Sequence, residues 1–206
     1  MKMNSYSMLN GLVAAALMVA VSELCVHGAS DSSPTAEPDK TLAEAHESFV
    51  KGDTQKAASA ISKAADFVKK QSASVADDSK EGMKKAGDQL AKLGDEVKQG
   101  TVKSDDDLKK TFAKVDHEMA TCWHKTAAES QKEGKDSTAA LKKAGAGLEG
   151  AARWSGHELN KDAKQSVEAV KKAGQGTDKA TKAGAGDLEK WFKGIGSGID
   201  DLGRKL

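Results

Sequence analysis

The chain has 206 residues, of which 31% are charged, yet Lys and Arg number 32 against 31 Asp and Glu, so the net charge is close to zero. That balance argues against nucleic acid as a main partner, because holding phosphates needs a clear cationic excess on some face. Positive and negative residues alternate finely instead, as on a solvated helix surface.

In chain order, residues 1–28 read as a signal peptide. Lys2 supplies a weak positive start, and the apolar stretch Leu9 to Val21 is short for a bilayer span. Val26-His27-Gly28 suits cleavage before Ala29, with a cut after Ser22 as the alternative. A lipid anchor on Cys25 is disfavoured because Ser22-Glu23-Leu24 before it, with its acidic residue, is a poor match to a lipobox. Export places the protein in the periplasm or outside the cell and leaves Cys122 as the one cysteine, so no internal disulfide forms. Residues 29–39 hold both prolines, Pro34 and Pro38, among Ser and Asp, and read as a flexible linker.

From residue 40 the composition is helical, and no run alternates in the manner of a strand. Lys40 to Lys51 is a first helix closed by Gly52, with Asp53 or Thr54 opening the next. Ile61, Val68 and Val75, then Met83, Ala86, Leu90, Leu93 and Val97, give the second segment its apolar face. The crowded Ser and Asp residues between Gln71 and Gly82 mark a break in it. Gly100 ends this segment, and Ser104 before three aspartates is the strongest helix start in the chain. Leu108, Phe112, Val115, Met119, Cys122 and Thr126 then form a seam facing partner helices. Residues 40–134 are therefore expected to be an antiparallel helical bundle.

Residues 135–206 differ, with Lys-Ala-Gly-x-Gly at 143–147, 172–176 and 182–186. Leu148, Leu159 and Val170 recur at eleven, as do Leu188 and Ile199, a period that suits a nearly straight helix. The expectation is a glycine-rich, elongated helical C-terminal third, weak or broken around Gly174 to Gly186. It ends in an amphipathic helix whose stripe is Leu188, Trp191, Phe192, Ile195, Ile199, Leu202 and Leu206. In composition and repetition, Ala139 to Leu206 resembles late-embryogenesis-abundant proteins and exchangeable apolipoproteins. That resemblance implies a partly ordered helix that folds on a surface.

Few residues offer chemistry. His117 and His124 lie two helical turns apart on one face with Ala113, Ala120 and Ala127, and His46 is the third candidate ligand for a zinc, copper, iron or haem site. Two turns span about 11 Å, too far for both imidazoles to reach one ion unaided. Structural, partly buried histidines are the reading preferred here. Cys122 on the seam reads as a small buried hydrophobe, and Trp154 as a docking residue. The Gly-x-Gly repeats lack the strand and lysine of a phosphate loop and suit close helix approach or flexibility instead. No paired acids, no nucleophile with its base and no cofactor loop stand out, so no catalytic residue and no cofactor are assigned. The expectation is a non-catalytic exported protein in an interaction or envelope stress-protection role, with a metal- or haem-binding bundle and a peripheral membrane protein as rivals. A protein or a membrane surface is the expected partner, and self-association stays open.

Overall fold

Seven helices carry the fold of the computed structural model, which describes residues 36–173 and 184–206: α1 Ala36–Val50, α2 Thr54–Gln71, α3 Lys80–Lys98, α4 Asp105–Lys132, α5 Thr138–Ser155, α6 Lys161–Lys172 and α7 Ala185–Gly203. Among the described residues there is no strand, and the protein is an all-α, multi-helix bundle. The expected signal peptide, the linker as far as residue 35 and most of the weak stretch from 174 lie outside the described residues.

Local chemistry sets the helix boundaries. α1 begins at Ala36, inside the stretch read as linker, and takes Pro38 into its first turn, where a missing N–H costs nothing. Gly52 ends it at φ +80°: its N–H bonds Phe49 O, and the Asp53 N–H bonds Ser48 O. Both orphan carbonyls are satisfied by a left-handed turn that glycine adopts without strain. Asp53 then caps α2 by accepting from the Lys56 N–H at 3.0 Å. The Gly100 turn repeats this arrangement after α3, and Ser104 caps α4 through the Asp107 N–H at 3.1 Å.

Between α2 and α3 lie two short 3₁₀ turns, Ser72–Ser74 and Asp77–Ser79, at the break read from the Ser/Asp crowding. They are tied to α4, with the Ala76 N–H donating to Thr126 Oγ1 and the Cys122 thiol to Ser79 O.

α4 is the central helix. Its expected seam is buried from Leu108 to Cys122, and a second face made of Ala113, Asp116, Ala120, Trp123 and Ala127 is buried as well. It packs most extensively on α5 and also contacts α1, α3 and α7. Glycine permits the closest of these approaches. A Cβ on Gly147 would stand 2.9 Å from Asp116 O and 3.0 Å from Ala120 N, so at this point the α5 and α4 backbones touch. Gly145 instead faces Val167 of α6.

The structure departs from the eleven-residue reading. One straight helix through Leu148, Leu159 and Val170 is expected, but α5 stops at Ser155 and α6 starts at Lys161. Gly156 turns left-handed at φ +69°, Asn160 caps the new helix, and Leu159 sits partly buried in the loop. α7 carries its stripe inward, with Ile195, Ile199 and Leu202 buried against α4, α5 and α6.

Candidate functional site

Two seams of titratable side chains meet α4. The first joins α1, α4 and α5. Asp116, 2% exposed, projects from the second face of α4, and Asp39 stands in the first turn of α1. Gly150 of α5 makes room for both: a Cβ there would lie 2.9 Å from Asp116 Cγ and 2.9 Å from Asp39 Oδ1. Arg153, one helical turn later, donates from Nη2 to Asp39 Oδ1 at 2.9 Å. Asp116 Oδ2 and the Trp154 indole N–H are both closed off from solvent, and neither makes a well-formed hydrogen bond. One guanidinium therefore faces two carboxyl groups.

Burial outweighs Arg153 at Asp39 and raises its pKa above the usual carboxylate value. At Asp116 burial acts more strongly and the nearby Asp39 adds to it. Arg153 and the Trp154 indole oppose the shift without cancelling it, so the carboxyl is held well above the ordinary value. A cavity of about 20 Å³, near the size of one water, is lined by both acids together with Gln71, Met119, Trp123 and Lys143. Lys143 Nζ sits 3.8 Å from the Trp123 ring centroid and donates to Gln71 Oε1 at 3.2 Å. Its partial burial lowers its pKa.

His46 continues this seam along α1. Its Nε2 is 2.6 Å from Asp105 Oδ1 without the alignment of a hydrogen bond, and its ring lies 5.5 Å from that of Trp154, which in turn packs edge-on to Phe112. Burial disfavours the Asp105 charge, but Lys109 and His46 together hold its pKa below the usual value.

The second seam joins α4 to α7. His117 Nε2 meets Ile199 O at 2.9 Å, and His124 Nε2 meets Phe192 O at 3.0 Å. Because a carbonyl only accepts, both imidazoles carry a proton on Nε2. Each ring rests on a glycine of α7. A Cβ on Gly203 would be 2.9 Å from His117 Nε2, and one on Gly196 would be 3.0 Å from His124 Cε1. Phe192 stacks on His124 at 4.0 Å between ring centroids. Burial lowers the His124 pKa, against the Phe192 carbonyl and Asp200, which raise it.

The three histidines read as candidate metal ligands are thus divided between these seams, His46 facing Asp105 while His117 and His124 each take a separate carbonyl of α7. Among the described residues no group of three or more His, Cys, Asp or Glu side chains is placed to hold a metal ion. Cys122 is 2% exposed, and burial, helped by Glu118, pushes its thiol up to about 12, so little thiolate forms at neutral pH. Trp154 is buried between α1 and α4.

Sequence reasoning missed the Asp39–Asp116 pair. Its one trace was Asp116 standing in register with Ala113 and Ala120, a charge inside a stripe of small residues. Compared with protein-family models, curated proteins and solved structures, the chain finds no match.

Proposed function

We propose that this is an exported, non-catalytic helical protein that acts through interactions of its polar helix surfaces, in a protective role at the cell envelope. The observation that carries this reading is the engagement of its candidate chemistry. His117, His124 and Cys122 are each committed to a backbone carbonyl of a neighbouring segment, at Ile199, Phe192 and Ser79, and so serve to hold the helices together. The surface offered to partners is polar: Val50, 63% exposed, is the one large hydrophobic residue that stands out among the described residues.

In this reading the helices run antiparallel. The α4–α7 seam supports that, since His117 pairs with Ile199 and His124 with Phe192, so rising numbers on one helix meet falling numbers on the other. The glycine-rich third serves close packing, through Gly145 against α6 and Gly147 against α4. A peripheral membrane role would first require α7 to turn Ile195, Ile199 and Leu202 outward. No described helix is long and apolar enough to cross a membrane.

Two measurements test the proposal. Intact mass of the exported protein should correspond to a chain beginning at Ala29, and a retained N-terminus would overturn export. Light scattering from a heat-aggregating enzyme should fall when an equimolar amount of this protein is present; unchanged scattering would overturn the protective role.

A further inference from the structure

We propose that the cavity where α1, α2, α4 and α5 meet is a binding site for small methylated ammonium cations, which the chain's own Lys143 fills in the free protein. The observation that carries this is a cation already seated there. Lys143 of α5 holds its ammonium 3.8 Å from the centroid of the Trp123 ring and donates to Gln71 Oε1 at 3.2 Å. An aromatic face attracts a cation through its quadrupole, most strongly where water is kept away. Phe67 of α2 and Met119 of α4 line the same cavity as Trp123.

Lys143 is a poor match to this site. A primary ammonium carries three N–H donors and is strongly hydrated. Among the described residues Gln71 Oε1 is its one hydrogen-bond acceptor, and no carboxylate pairs with it. Burial also works against its charge. A fully methylated ammonium has no N–H donors to satisfy, and it meets the ring with carbon as well as charge.

The rest of the cavity also suits a cation. Asp39 and Asp116 line it, and Asp39 is already bonded to Arg153 at 2.9 Å. Asp116, 2% exposed, has an Oδ2 that makes no well-formed hydrogen bond, so a buried carboxyl is left to answer added positive charge. A cation beside it favours its ionised form, against the burial that otherwise keeps it neutral. A bare divalent ion would need a shell of ligands, and no group of three or more His, Cys, Asp or Glu side chains among the described residues supplies one.

Entry requires Lys143 to leave, because the cavity of about 20 Å³ has room for no more than a water beside it. Its side chain is half-buried on a flexible stem, held by one hydrogen bond and the ring contact. Four carbons and a nitrogen then move out, the same heavy atoms as in tetramethylammonium.

The test is an NMR titration of the full chain with tetramethylammonium chloride. Sodium chloride at equal ionic strength and tert-butanol, a neutral molecule of similar shape, are the controls. In the free protein the Trp123 ring should shift the Lys143 Cε protons upfield. Tetramethylammonium should return them to their ordinary position, in step with saturable shifts of the Trp123 indole and Gln71 amide signals. K143A, freed of the resident cation, should bind about tenfold more tightly, in keeping with the strength of one cation–ring contact away from water. D116N should bind several-fold more weakly than the wild type. Lys143 signals that do not move, tert-butanol acting as strongly as the cation, or K143A binding no more tightly than the wild type would each overturn the proposal. Should either variant fail to fold, the wild-type displacement measured against its two controls decides.

Discussion

The two seams on α4 differ in the charge they exclude. Where α1 meets α4 and α5, the buried group is a carboxylic acid that burial and a neighbouring acid keep neutral. Where α7 meets α4, it is an imidazole that burial keeps neutral. The physics is the same, desolvation of the charged form, but the pH dependences run in opposite directions. Asp116 lends stability in acid that is lost as the pH rises from 3.8 through its raised folded value. His124 lends stability that is complete above its unfolded value of 6.5 and is lost as the pH falls through its lowered folded value. One central helix thus carries a contact that acid tightens and another that acid loosens.

The most severe break in the comparison is expected from F112A. Phe112 is fully buried and packs against Trp154, so its removal should undo the carboxyl seam and cost about 3–5 kcal/mol in urea unfolding. Next comes G150A. Its Cβ would collide with Asp116 and Asp39 together, and Asp116, shut off from solvent in the middle of α4, is the harder of the two to displace, so a loss of about 1–3 kcal/mol is expected. The loss should grow with pH, because two ionised carboxylates tolerate crowding less well than one.

H117A and H124A sharpen the other side. Each removes a hydrogen bond that ties α4 to a carbonyl of α7, at a cost of about 0.5–1.5 kcal/mol read in the same way. Faster hydrogen exchange should be confined to α7. H124A should also remove part of the acid sensitivity. At Cys122 a thiol reagent should react slowly with the folded protein and rapidly once urea unfolds it. Rapid labelling of the native state would contradict the buried, protonated thiol. The smallest effect belongs to the exposed Glu189–Lys193 pair, where E189A should leave the unfolding midpoint unchanged within error.

Much of the helical framework is legible in the sequence because helix ends depend on neighbours in the chain. Gly52 and Gly100 turn left-handed where they read as stops, and Ser104 caps where its three following aspartates point. The α5–α6 division was less legible, since the eleven-residue spacing passes through Leu159, which lies in a loop rather than on a helix. The seams depend on which helices become neighbours, and a single helix's pattern does not carry that information. His117 and His124 are seven apart, and so are the glycines that receive them, Gly196 and Gly203. That matched spacing was a signal, readable only once α4 and α7 are set side by side. The Asp39–Asp116 encounter left less still, because Asp39 stood in a stretch read as linker and its burial is created by α5.

The opposed behaviour of the two seams is tested most directly by thermal unfolding of the full chain, D116N and H124A across about pH 4 to about pH 9. The wild-type midpoint should fall away on both sides of a maximum. D116N should flatten the alkaline side alone and H124A the acid side alone. If both substitutions flatten the same side, or neither changes the profile, the two seams do not titrate as opposites and the account is contradicted.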